Sequence, residues 1–121
     1  MSAEALVSVP KAPARPRRRT AADRLRCAIL QLAGGRGEVM QHDERSWASV
    51  TFSGSRHALR LVFEGEEAVE AGEALVAALP DHEFTLPGHL VADATISAVE
   101  HTLVPEPRML VECEVLLLEE A

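Results

Sequence analysis

The residues of this sequence best suited to acid–base or metal chemistry are five histidines: His42, His57, His82, His89 and His101. None has a partner four residues away on a helix or at another chelating spacing, so the sequence predicts no metal site. An assembly in space from His42, Asp43 and His101 is left open. His57 falls in an apolar run, which predicts a core histidine with a hydrogen-bond partner, able to titrate near neutrality.

Other catalytic patterns are missing from the chain. It contains no phosphate-binding glycine loop, CxxC pair, HExxH or GxSxG. The run GGRG at positions 34–37 follows a predicted helix, which is typical of a helix end and not of a phosphate site. Glu112 and Glu114 point the same way on one strand and are expected on a solvated face. The sequence therefore predicts no catalytic residue and no cofactor, although an enzyme or a small-ligand-binding domain stays open as an alternative.

Cysteine usage and hydropathy bear on the compartment. The two cysteines, Cys27 and Cys113, fall at or near apolar positions, as free thiols in a reducing compartment do. No segment reaches the ~18 apolar residues of a membrane span, and no secretory signal is recognisable. We expect a cytoplasmic protein with no membrane contact. The preference for Arg over Lys and the many alanines are typical of a high-GC, bacterial genome.

Charge divides the chain into a basic start and an acidic body. The formal net charge is −7, yet seven of the twelve basic residues lie in the first 26 positions. Residues 1–19 are rich in Ala, Pro and Arg and are predicted to be a disordered basic arm. Such an arm is either solvated, docked on its own body, or bound to nucleic acid with strong salt dependence. The candidate polyanion contacts are Arg15, Arg17, Arg18, Arg19, Arg24 and Arg26.

Residues 20–121 are predicted to form one domain that contains two helices. Thr20 and Asp23 resemble a capping box, and apolar residues then recur at helical spacing as far as Gly34. The second helix spans 66–79 and carries an apolar stripe beside a row of glutamates. Gly72 lies within that stripe, which indicates close packing on a sheet.

Alternating residues predict two hairpins. In the first, Gly54 and Ser55 are expected to form a two-residue turn between 47–52 and 57–63, with Trp47 away from the main apolar face. Residues 38–44 are expected to be an edge strand or an ordered loop. In the second, a Pro-Glu-Pro break separates strands near 91–101 and 109–118. There Leu90, Ala92, Ala94, Ile96 and Ala98 are expected to share one face, and Met109, Val111, Cys113, Val115 and Leu117 to share a face of the following strand.

This element order predicts an α+β fold: a two-layer sandwich of about four or five antiparallel strands and two helices. The second face of the sheet mixes acidic and apolar residues, so we expect that face, or an exposed strand edge, to be an interface; the alternative is that the first helix or the arm covers it. We therefore expect a non-catalytic protein-interaction or assembly module, with a homo-oligomer or another protein as partner. A nucleic-acid-associated protein that uses the basic arm is the alternative. The candidate interface residues are Trp47, Val62, Val99, Leu110 and Leu116.

Overall fold

The structure is a computed structural model, and it describes residues 19–120. The helices are α1 (Ala21–Leu32) and α2 (Glu66–Ala78), and a 3₁₀ turn (Leu79–Asp81) follows α2. The strands are β1 (Glu38–Ala48), β2 (Ser53–Glu64), β3 (His89–Thr102) and β4 (Arg108–Glu119). They form one antiparallel sheet in the order β1-β2-β4-β3. The predicted α+β fold is confirmed, with four strands. The proposed arm lies almost wholly outside the described residues.

Both helices begin and end where the sequence predicts, to within one or two residues. The Thr20 hydroxyl accepts from the Asp23 amide at 3.1 Å, and the Asp23 carboxylate accepts from the Thr20 amide at 3.0 Å, so the capping box is present. α2 buries Val69, Gly72 and Leu75 in one stripe. Neither helix within residues 19–120 has the length and apolar character needed to cross a membrane.

One core joins the helices to one face of the sheet, here called the helix face. It combines side chains from α1, α2, β2 and β4, because alternate residues of each strand point towards the helices. The predicted apolar face of β4 is confirmed, since all five of its residues are buried. The main core residues are Leu25, Ile29, Leu59, Leu61, Phe63, Val69, Leu75, Leu79, Met109, Val111, Cys113, Val115 and Leu117.

The predicted turn of the first hairpin is wrong. β1 and β2 are joined at residues 49–52, where the Ser49 amide donates to the Phe52 carbonyl at 2.7 Å and the Ser49 hydroxyl accepts from the Phe52 amide at 3.1 Å. Gly54 lies inside β2, opposite Trp47, and lacks the positive φ that a type II′ turn requires. Its role is close approach, because a Cβ there would stand 1.9 Å from the Leu117 carbonyl oxygen. Residues 38–44 are part of the edge strand β1, so the expectation of an edge strand is confirmed and that of an ordered loop is not.

Two irregularities in β3 change the predicted faces of that strand. The register with β4 shifts between Val91 and Asp93 and again between Ile96 and Ala98. Each extra residue reverses the side-chain alternation beyond it. Ala94 and Ile96 therefore share the helix face, as predicted, whereas Leu90 and Ala98 lie on the opposite face.

Candidate functional site

The face of the sheet opposite the helices, here called the outer face, is defined by rows of residues that pair across all four strands. In the order β1, β2, β4, β3 the central row is Asp43, Ala58, Glu114 and Thr95. Directly paired residues in antiparallel strands point to the same side. Moving towards the 49–52 turn, the next rows are Arg45, Arg56, Leu116 and Asp93, then Trp47, Gly54, Leu118 and Leu90. In the other direction they are Gln41, Arg60, Glu112 and Ala98, then Glu38, Val62, Leu110 and Glu100.

Apolar residues occupy the two ends of the outer face. Trp47, Leu118 and Leu90 share one end row, and Leu90 is 53% exposed. Val62 and Leu110 lie at the other end, where Val62 is 5% exposed although neither helix of residues 19–120 packs on that face. Both described helices pack on the other side of the sheet. The outer face thus presents both apolar and charged side chains.

The middle of the outer face separates positive from negative charge. Its three central rows carry Arg45, Arg56 and Arg60 on β1 and β2, with Asp43 as their one carboxylate. On β4 and β3 the same rows carry Glu112, Glu114 and Asp93 and no basic residue. The Arg60 guanidinium donates to the Glu112 carboxylate at 2.8 and 3.0 Å across the boundary. The two halves therefore have opposite charge.

Four of the five predicted interface residues lie on the outer face, and one does not. Trp47 and Val62 point outward from β1 and β2, and Leu110 and Leu116 point outward from β4. The expectation that Val99 joins them is wrong, because Val99 pairs with buried Val111 and so lies on the helix face. The second register shift in β3 is the reason.

The predicted polyanion contacts are only partly within the described residues. Arg15, Arg17 and Arg18 lie outside them. The Arg19 guanidinium lies 3.7 Å from the Cys27 sulfur, and Cys27 is exposed although the sequence put it near an apolar position. Arg24 lies half-buried on α1. Arg26 turns towards the protein, where it contacts Asp23 and His42.

A chain of polar side chains connects α1 with β1 and β2 on the helix face. Arg26 Nη1 lies 2.8 Å from His42 Nδ1, His42 Nε2 lies 2.8 Å from His57 Nδ1, and His57 Nε2 lies 2.8 Å from Ser55 Oγ. Arg26 Nη2 also makes an ion pair with Asp23. His57 is fully buried, and the predicted hydrogen-bond partner is confirmed. We call this set the histidine network.

The direction of every hydrogen bond in the histidine network follows from Arg26. A guanidinium has no acceptor atom, so His42 Nδ1 must accept and His42 must carry its proton on Nε2. That proton is donated to His57 Nδ1, which leaves the His57 proton on Nε2 to be donated to Ser55. Both rings are therefore neutral. Because His57 donates a hydrogen bond to the Ser55 hydroxyl, it cannot accept the hydroxyl proton, so this arrangement does not activate Ser55 as a nucleophile.

The electrostatics of the histidine network agree with neutral rings. Burial lowers the pKa of His42 below 6.5, and the nearby His57 and Arg26 lower it further, against the opposing effect of Glu44 and Asp43. Burial likewise lowers the pKa of His57, with smaller contributions from His89 and Arg26 against that of Glu44. The neutral state is thus favoured by removal from water as well as by geometry.

Metal chemistry finds no support in residues 19–120, where no three His, Cys, Asp or Glu side chains come together in a metal-binding cluster. The proposed set is divided by the sheet: His42 lies on the helix face and Asp43 on the outer face. His101 pairs with Met109 near the far end of β3.

The sequence alone did not bring His42 and His57 together. They are diagonal neighbours, because His42 pairs with Leu59 and His57 pairs with Glu44. Recognising residues 38–48 as a single strand, joined to β2 through 49–52, would have predicted their proximity.

Comparison of the chain with protein-family models, with curated protein sequences and with solved structures found no match.

Proposed function

We propose that this protein is a non-catalytic assembly module that forms a two-fold dimer by packing the outer faces of two copies. The observation that carries the proposal is the division of the outer face into a positive and a negative half between two end rows with apolar residues, one of which has Glu38 and Glu100 at its edges. Because one face carries both a positive and a negative half, the positive half of one copy can pack on the negative half of a second copy.

The size of the outer face is sufficient for a concentration-dependent dimer. Four strands at the usual spacing span about 19 Å, and nine or ten residues of strand span about 30 Å. Each copy would cover about 600 Å², so the pair would bury about 1,200 Å², which is at the lower end of stable interfaces. We therefore expect monomers and dimers to exchange at accessible protein concentrations.

The charge pattern selects one orientation of the two copies. A two-fold axis parallel to the strands places β1 over the partner's β3 and β2 over the partner's β4, and it keeps each row over itself. Arg45 then faces Asp93 of the partner subunit, and Arg60 faces Glu112 of the partner subunit. Trp47 meets Leu90 of the partner subunit at the apolar end, where Gly54 leaves room.

The alternative axis, perpendicular to the strands, brings more like charges together, whereas the first axis does so only where Glu38 faces Glu100 of the partner subunit. It places each strand over its own copy and reverses the order of the rows. Arg60 would then lie over Arg56 of the partner subunit, and the acidic residues of β4 would gain no basic partner. Repulsion of this kind discriminates between docking modes. We therefore expect the first orientation, with the crossing angle of about 30° that sheet twist imposes.

Charge reversal at Arg45 and Asp93 tests the dimer. These residues lie on opposite edge strands, three strand spacings or about 14 Å apart within one copy. Either Arg45→Glu or Asp93→Arg converts two symmetry-related attractions into repulsions. At roughly 0.5 kcal/mol for each attraction and each repulsion the loss is about 2 kcal/mol, or about 30-fold in dimer Kd. The double variant should restore dimerisation.

Sedimentation velocity of the full chain over a wide concentration range gives the Kd of each variant. Glu70→Arg, on the exposed side of α2, is the matched control and should dimerise like the original chain. A monomer mass at every concentration would refute the proposed function. Dimerisation that neither single reversal weakens would place the interface elsewhere. Weakening by both single reversals without recovery in the double variant would refute the orientation.

A further inference from the structure

The histidine network connects helix α1 to the sheet strands β1 and β2. Arg26 is on α1, His42 is on the edge strand β1, and His57 and Ser55 are on β2. α1 packs on the core through fully buried Leu25 and Ile29 and through partly buried residues such as Ala28 and Leu32. The Arg26–His42 hydrogen bond adds a polar connection between α1 and the sheet.

We propose that the histidine network is a proton-sensitive latch, in which one added proton breaks the Arg26–His42 contact and loosens α1 from the sheet. This inference is independent of the proposed dimer, because the network lies on the helix face and the proposed interface lies on the outer face.

The hydrogen-bond geometry leaves no place for an additional proton. All four ring nitrogens are in use, and the two without a proton are His42 Nδ1 and His57 Nδ1. A proton on His42 Nδ1 faces the Arg26 N–H, donor against donor. A proton on His57 Nδ1 faces the His42 Nε2–H, again donor against donor. This clash is relieved when His42 changes tautomer, so that its proton leaves Nε2 and is carried on Nδ1. Either route sets an N–H of His42 against the Arg26 N–H, donor against donor.

Exposure decides which contact opens. His57 is fully buried, whereas the Arg26 side chain is 36% exposed. Arg26 and His42 also line an open groove of about 630 Å³ between α1 and β1, through which water can reach them. Arg26 can turn into this groove and keep its ion pair with Asp23. The Arg26–His42 contact therefore breaks before the buried His57–Ser55 contact does.

Other charges near the pair set the direction of the response. Asp43 and Glu44 on β1 favour the protonated state, and Arg26 on α1 and His89 on β3 oppose it. Burial outweighs the two carboxylates, so the pKa values of both rings lie below 6.5 in the folded protein. The latch is consequently closed above about pH 6.5 and opens as the pH falls below that value.

Two measurements on the full chain test the latch. Long-range ¹H–¹⁵N NMR at pH 7.5 should show both His42 and His57 neutral with the proton on Nε2. Hydrogen exchange, corrected for the intrinsic effect of pH, should show α1 amides opening about tenfold more often at pH 5 than at pH 7.5, as expected for loss of one charge-assisted hydrogen bond. Amides of α2 should change less.

Arg26→Met removes the donor and keeps the aliphatic stem, so α1 in this variant should exchange faster at pH 7.5 and respond little to pH. His101→Gln, which alters an exposed histidine on β3, should keep the full response. Finding the His42 proton on Nδ1 at pH 7.5 would overturn the latch regardless of any variant. An α1 response that matches α2, or that persists in Arg26→Met, would also overturn it.

Discussion

Replacing Gly72 with alanine measures how closely α2 is seated on the sheet. A Cβ at this position would stand 2.9 Å from Phe63 Cδ2, and it would stand 3.0 Å from both Phe63 Cγ and Met109 Sδ. The Phe63 ring is fully buried and also lies close to Gly37, where a Cβ would stand 2.4 Å from Phe63 Cε1, whereas the Met109 thioether can adjust. The new methyl group therefore over-packs the contact between α2, β2 and β4.

The magnitude follows from two opposing effects. A Gly-to-Ala change inside a helix normally stabilises by about 1 kcal/mol. Over-packing of a filled core costs about 1–3 kcal/mol. We expect Gly72→Ala to lower the free energy of unfolding by about 0–2 kcal/mol, with Tm falling roughly 4–8 °C for each kcal/mol.

Ala74→Gly on the same helix supplies the calibration. Ala74 is exposed, so this variant should lose only the helix propensity of about 1 kcal/mol. Urea denaturation followed by circular dichroism, at one protein concentration for all variants, gives both values. A stabilisation by Gly72→Ala that mirrors the loss in Ala74→Gly would refute the close contact with Phe63 and Met109.

Two further outcomes are expected. The free energy of unfolding should rise with pH from about 5 to 7, because the folded state holds the pKa values of His42 and His57 below 6.5 and the unfolded chain binds more protons there; urea denaturation in matched buffers that gave a flat or falling profile would contradict this. In a thiol-labelling assay at pH 8, exposed Cys27 should react in the native protein, whereas Cys113 should react only after unfolding because burial raises its pKa to about 11. Equal labelling rates for the two native thiols would contradict the burial of Cys113.

Local signals in the sequence determined the helices and the class of fold. The capping box at Thr20 depends on residues three positions apart, and the stripe of α2 repeats within each turn, so neither requires knowledge of distant contacts. The apolar alternation of β4 likewise identified its buried face. These patterns suffice because each element must present an apolar side to a common core.

Only the tertiary structure decided the register, and the candidate site depends on register. Gly54 has the composition of a turn residue, but the approach of the Leu117 carbonyl from β4 explains its presence in β2. Two register shifts in β3 moved Leu90 onto the outer face and Val99 off it, because one extra residue reverses every side chain beyond it. The His42–His57 contact likewise forms only when β1 pairs with β2 in the observed register. The hydrogen bonds of a strand are made with a neighbouring strand that is distant in the sequence. The periodicity of one strand therefore does not determine its partner or its register.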